Sequence, residues 1–279
     1  MTTPSLDSFE DHPPSTSKRA VRSMECKTAL SPSSLPGLDL TLNPYRGCEH
    51  DCVYCYAPYL FRMAREDWSQ VAAKLGLPRL LAKEAGRKRG VIGLSTATDP
   101  YQPVEADLGL TRRCLQELVK AKAKVSVLTK SDLVLRDLDL LTSLPEAEVG
   151  ITITTIEERW ATCFEPGAPA PSRRLEALRG LVEHGIDCYV FIGPILPLVT
   201  ERRMDELIDS IHATGCGRVM TDPLRLRPGM IARMRALPCA NELGESFFSH
   251  CQDESYLKRA ELRVADSCLR RGIKVQTAF

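Results

Sequence analysis

No stretch of this 279-residue chain is apolar for long enough to span a bilayer. The N-terminal "MTTPSLDSFEDHPPSTSKRA" also lacks the apolar segment of a secretory signal. A cytoplasmic protein with no membrane partner is therefore expected. Net charge is scarce as well: at +1 the chain has no global field to draw in nucleic acid or a lipid surface, so any such site must be local. Aromatic residues make up 6%, which leaves few stacking platforms for single-stranded bases. No glycine-rich dinucleotide loop follows the first clear strand, no internal repeat recurs, and no low-complexity tract lies beyond the N-terminal tail.

Cysteine is not scarce. Eleven are many for a reducing compartment and too few for a disulfide scaffold of this length. Eight of them (Cys26, Cys114, Cys163, Cys188, Cys216, Cys239, Cys251 and Cys268) are scattered without a repeated spacing and read as small buried hydrophobes. The other three, Cys48, Cys52 and Cys55, follow C-x3-C-x2-C spacing inside "NPYRGCEHDCVYCYAP" (43–58). Three thiolates within reach of one another hold zinc or an iron–sulfur cluster. A closed zinc site needs a fourth ligand, for which His50 stands inside the same loop. A four-iron cluster on three cysteines instead leaves one iron open to chemistry. A further set, Cys216, Cys239, Cys251 and Cys268, is the only material for an auxiliary cluster, and its wide spacings favour structural cysteines.

The hydrophobic 43% and charged 26% are those of a globular protein. Residues 1–23, rich in Ser, Thr, Pro and charge, read as a disordered tail. An irregular lead-in follows over 27–43. Strands are expected at 91–96, 124–129, 148–154, 187–193 and 217–221, with a weaker one at 70–75. Helical patterns occupy 104–122, 171–185 and 203–215, and 227–272 reads as helices closing one side. Six βα units in series give an α/β fold, a partial (β/α)6 barrel in preference to a doubly wound sheet. The expected division is a tail at 1–23, a core at 24–226 with the lead-in, and a helical extension at 227–279.

With Tyr54 just before the third cysteine, the loop resembles that of the radical S-adenosylmethionine (SAM) enzymes. "STATDPYQPVE" (95–105), "LTKSDLVLRDLDLL" (128–141) and "EPGAPAPSRRLEALRGLVEHGI" (165–186) are similar to the spore photoproduct lyase-like branch, often labelled DNA repair photolyase. The likeness runs over roughly residues 27–200. It implies a partial (β/α)6 barrel with a [4Fe–4S] cluster on Cys48, Cys52 and Cys55, whose open iron is chelated by SAM. Reductive cleavage of SAM would then give a 5′-deoxyadenosyl radical, with electrons from a donor such as a flavodoxin or ferredoxin. Lesion cleavage in DNA is the named activity of the branch, against peptide or small-molecule modification and a non-catalytic zinc or iron–sulfur module.

For SAM contacts the resemblance points to strand ends. Thr98 and Asp99 form a hydroxyl–carboxylate pair for the amino group, in place of the Gly-Gly-Glu stretch common in the superfamily and absent here; Asp99 before Pro100 also suits a turn. Lys130 would pair with the methionyl carboxylate. In "GITITT" Thr152 and Thr154 share one face and Ile151 and Ile153 the other, so Thr152 is placed toward the mouth. Tyr54 and Tyr56 flank Cys55 and would touch the adenine or shield the cluster. Glu165 and Arg174 look like features of the branch, either reaching the active site or pairing with each other. The hydrogen-donating cysteine of spore photoproduct lyase aligns with Thr96, which leaves Tyr101 or Cys163 as substitutes. The basic stretches 83–90 and 217–238 either follow a phosphate backbone or form solvated surface.

Overall fold

The computed structural model describes residues 21–278, so residues 1–20 of the expected tail lie outside the described residues. Seven strands, β1 (Leu40–Leu42), β2 (Val91–Leu94), β3 (Lys124–Thr129), β4 (Glu146–Thr152), β5 (Asp187–Ile195), β6 (Arg218–Pro223) and β7 (Lys274–Thr277), pair in sequence order, every pair parallel. Ser31–Pro32 adds an antiparallel edge beside β1. Among the described residues the first and last strands do not pair, so the sheet is an open barrel. Helices α1 (Leu110–Lys120), α2 (Pro171–Glu183) and α3 (Met204–His212) form crossovers between successive strands, and α4 (Glu254–Leu269) packs against β6, β7 and α3.

Two strand expectations and one helix expectation are corrected. The first barrel strand is Leu40–Leu42, inside the stretch read as an irregular lead-in. The weak strand at 70–75 is only Ala72–Ala73, which pairs with Arg22–Ser23 and Tyr45–Arg46 in a separate three-stranded sheet. Both errors come from length: two or three residues carry too little alternation to assign a strand. The helix expected over 104–122 is two, Val104–Leu108 and α1, because Gly109 turns left-handed between them (φ 57°). Residues 227–272 supply the helices expected there, and the chain then returns to the sheet as β7.

Alternation along the strands separates two faces. Val125, Val127, Val149, Ile151, Val190 and Ile192 pack with Leu115, Leu118, Leu178, Leu181 and Ile211 of the helices in one core. The opposite face lines the barrel. There Gly150 lies beside Tyr189 in register, and a Cβ at Gly150 would come within 2.3 Å of the Tyr189 ring. Gly150→Ala should therefore destabilise the chain by about 1–3 kcal/mol through overpacking. Adding Tyr189→Leu should recover most of that loss in thermal unfolding.

The scattered cysteines depart from expectation at two points, one being that Cys26 is only partly buried. Cys114, Cys188, Cys216, Cys251 and Cys268 are buried thiols, but Cys163 and Cys239 are joined in a disulfide. Cys268 packs in the main core and Cys251 in a second apolar cluster. Of the four cysteines considered for an auxiliary cluster, Cys239 is thus taken up by the disulfide. No helix among those residues is long and apolar enough to cross a membrane.

Candidate active site

The cysteine loop leaves the C-terminal end of β1, and its contacts come from the segments that follow the neighbouring strands, as this architecture allows. Residues 99–105 after β2 hold its first half. The Gln102 side chain accepts from Glu49 N (2.9 Å) and donates to Gly47 O (3.2 Å), and Glu49 accepts from Val104 N (2.6 Å). His50 Nδ1 lies 3.2 Å from Asp99 Oδ2. Gly167 closes over the loop: its N–H donates to His50 O at 3.0 Å, and a Cβ there would sit 2.0 Å from Glu49 O. The second half is held from outside. Val53 N donates to Phe164 O (2.9 Å), Arg65 Nη2 donates to Cys52 O (2.7 Å), and Arg233 Nη2 donates to Val53 O (3.1 Å). Both arginines line a cleft of about 570 Å³ on which the Cys163–Cys239 bridge also borders.

Cys48 and Cys52 are buried and Cys55 is partly so. Burial pushes the Cys52 thiol up to about 12, with Lys130 opposing, and holds Cys48 well above its ordinary value. A metal or cluster bound here would take the thiolate form of these side chains and release their protons. Among the described residues no group of three His, Cys, Asp or Glu side chains converges as a site for a single ion. His50, the candidate fourth zinc ligand, pairs with Asp99 through Nδ1. Three thiols on one loop are the number of protein ligands that a [4Fe–4S] cluster with one open iron takes.

Lys130, after β3, places its ammonium 5.7 Å from the centre of the Tyr54 ring. Burial would lower its pKa, but Cys52 and Glu165 outweigh burial and raise it. Among the described residues the contact of this ammonium is with the Tyr54 ring, and no side chain or carbonyl accepts a hydrogen bond from it. In the segments that follow β1 and β2 lie buried polar atoms without partners: Asn43 Oδ1, His50 Nε2, Ser95 Oγ and Thr98 Oγ1. Buried polar atoms are normally satisfied, and such a group of orphans marks a ligand site.

The remaining expected SAM contacts divide. Asp99 has no acceptor position left for an amino group: Oδ1 accepts from Tyr101 N (2.9 Å) and Thr129 Oγ1 (2.6 Å), and Oδ2 accepts from Lys130 N (2.9 Å) beside His50. Burial would raise its pKa, but these partners hold it at about 2. Tyr54 directs its hydroxyl to Glu165, while Tyr56 is exposed among Cys55, Asp222, Arg227 and Lys130. Thr152 is buried, its carbonyl accepting from Arg174 Nη1 at 3.2 Å. Arg174 and Glu165 form a buried ion pair, and Thr154 Oγ1 donates to Glu165 at 3.0 Å.

Neither substitute hydrogen donor is free at the mouth. Cys163 is in the disulfide, and Tyr101 is fully buried in the main core beside Asp137 and Arg136. Thr96 instead shares a 2.9 Å hydrogen bond with Thr41, which also accepts from Asn43 Nδ2 at 2.9 Å. Sequence reasoning missed Gln102, Asn43, Arg65 and Arg233. The first two lie inside quoted motifs, whereas nothing in the sequence links the two arginines to the loop.

A family model for the radical SAM superfamily matches residues 42–211. An uncharacterised protein of Methanocaldococcus jannaschii is 39% identical over 65% of this chain and 70% of its own length. An uncharacterised protein of Mycobacterium tuberculosis is 32% identical over 72% of this chain; the match spans 64% of that relative, slightly under two thirds. Among solved structures, a variant of spore photoproduct lyase with bound AdoMet and dinucleoside spore photoproduct has a TM-score of 0.67 at 12% identity, covering 93% of this chain and 81% of that one. SuiB of Streptococcus suis bound to S-adenosylmethionine gives 0.54 at 13% identity, over 85% of this chain and 49% of that one. At these identities the two structures speak for the fold. With the matched domain covering most of the chain, the protein belongs to the radical SAM superfamily, whose cofactors are a [4Fe–4S] cluster and SAM.

Proposed function

We propose that the chain is an enzyme that reductively cleaves SAM at a cluster held by Cys48, Cys52 and Cys55. When bound, the two cofactors supply a 5′-deoxyadenosyl radical; the protein holds them and admits one substrate at the strand ends. The observation that carries this reading is the conjunction of three thiols on one loop, two of them buried, the Lys130 ammonium near Cys52, and the unpartnered Asn43, Ser95 and Thr98 atoms after β1 and β2. Lys130 is assigned to the methionyl carboxylate, and Thr98 with Thr152 to the polar end of SAM. Tyr56 is assigned to the exposed side of the site and Tyr54 to its packing. An acidic one-electron carrier such as a flavodoxin or ferredoxin would supply the reductant.

Cleavage of a carbon–carbon bond in a DNA lesion is the leading named reaction, supported by the likeness to spore photoproduct lyase. It would need a hydrogen donor other than a cysteine at the Thr96 position. A peptide or small-molecule substrate is favoured by the disposition of charge. In the 217–238 stretch Arg218 pairs with Glu148 and Asp187, Arg225 with Asp222, Arg233 with the cysteine loop, and Arg235 with Glu245. That leaves Arg227, exposed near Tyr56, as the arginine of the five with neither an ion pair nor a side-chain hydrogen bond among the described residues. The other basic stretch, 83–90, precedes β2 and so lies at the end of the barrel opposite the loop.

The test is 5′-deoxyadenosine formation by anaerobically reconstituted protein with dithionite and SAM, beside the Cys48/Cys52/Cys55 triple-alanine variant. Product from the parent alone supports the reading, and stimulation by dinucleoside spore photoproduct would select the lesion branch. No product, together with no response of the reduced cluster's EPR signal to SAM, would reject it. Lys130→Met should keep its iron yet need about tenfold more SAM for half-maximal change of that signal, the loss of one charge-assisted contact.

A further inference from the structure

His50 sits between two cluster cysteines, is 2% exposed, and is not a metal ligand in the reading above. Its ring reaches out of the loop to Asp99, with Nδ1 3.2 Å from Oδ2. That same oxygen accepts from the backbone N–H of Lys130 at 2.9 Å. One carboxylate oxygen therefore joins the loop that carries the cluster to the residue that carries the free ammonium. Asp99 is itself fixed from the other side by Tyr101 N and Thr129 Oγ1, so its position is over-determined by β2 and β3.

We propose that His50 is a positioning residue: by bonding to Asp99 it sets the span between the cluster loop and Lys130, and so the fit of the methionyl end of SAM across the two. The proposal rests on the radical SAM reading and deepens it. The physical ground is that a chelated ligand bound at both ends is sensitive to small displacements between its anchors. The other ties to the loop, through Gln102, Glu49 and Gly167, fix its backbone to neighbouring segments, but only the His50 tie ends on the oxygen that also holds Lys130.

Three substitutions separate this role from simple packing. Asn places its amide where Nδ1 lies and can still donate to Asp99, Gln places its amide where Nε2 lies, and Ala removes both. Each variant, reconstituted with iron and sulfide and reduced, is titrated with SAM while the cluster's EPR signal and the iron per chain are measured. His50→Asn should titrate like the parent. His50→Gln and His50→Ala should hold their iron but need about tenfold more SAM, corresponding to one lost charge-assisted hydrogen bond.

A parent-like titration of His50→Gln, or a His50→Asn variant as impaired as His50→Ala, would overturn the proposal. Should His50→Ala lose its iron, the comparison of Asn with Gln still decides. The parent's own response is a separate arm: if its signal does not move with SAM, the cofactor reading fails, whereas a parent that responds alongside three indistinguishable variants rejects only the role of His50.

Discussion

Cys52→Ala is expected to abolish bound iron and SAM cleavage together, while Cys268→Ala leaves both. The contrast follows from where the two sulfurs sit. Cys268 is fully buried in the main core among Val264, Ala260 and Ile273, where a thiol acts as a small apolar group. Its loss should lower stability modestly and touch no chemistry. Cys52 lies at the centre of the loop with Arg65 on its carbonyl and the Lys130 charge near its sulfur. Two cysteines in place of three leave a cluster with too few protein ligands. Iron and sulfide per chain, read beside 5′-deoxyadenosine, check both halves. A Cys52→Ala protein that kept full iron and turnover would refute the ligand assignment.

The three-cysteine loop was legible because its chemistry is written in contiguous residues, and the long strands because alternation runs over enough positions to show. Lys124–Thr129 appears at the bounds its pattern implied, and Asp187 begins β5 as expected. Leu40–Leu42 was not legible, since three residues become a strand only by pairing with β2. The role of "DPYQP" was only half legible. Its similarity to known enzymes pointed to a site, yet the sequence could not reveal that Asp99 and Gln102 hold the cysteine loop, because that depends on a contact about fifty residues distant in sequence. The arginines on Cys52 O and Val53 O carry no local signal at all. Arg233 lies 180 residues from the carbonyl it meets. The disulfide was missed for the same reason: Cys163 and Cys239 are 76 residues apart in a chain whose other scattered cysteines are thiols.

Glu165→Gln should be more damaging to stability than Arg174→Met, although the two residues form one ion pair. Glu165 is wholly buried and Arg174 is 1% exposed, so neither charge has water to fall back on. The carboxylate accepts from the Tyr54 and Thr154 hydroxyls and from Arg174, with Lys130 adding a further positive charge nearby. Removing Glu165's charge leaves two cations in one buried site, a loss of about 3–5 kcal/mol. Removing Arg174 leaves the carboxylate with Lys130 still present, so the loss should fall at the lower end of that range. The double variant should lose less than the sum of the singles, because each partner's desolvation is then no longer uncompensated. The sign of the pH dependence is also fixed. Burial would raise the Glu165 pKa, but Arg174 and Lys130 outweigh it and hold it below 4.5. A depressed folded value means that the carboxylate's contribution is present above that ordinary value and is lost as pH falls toward the folded one. The parent's thermal midpoint should therefore decline from about pH 5 downward, and the Glu165→Gln curve should be flatter over the same range. An equal decline in both would remove Glu165 from the account of acid stability. A Glu165→Gln protein as stable as the parent at neutral pH would show that the pair is dispensable to the fold that positions Tyr54 and the cysteine loop.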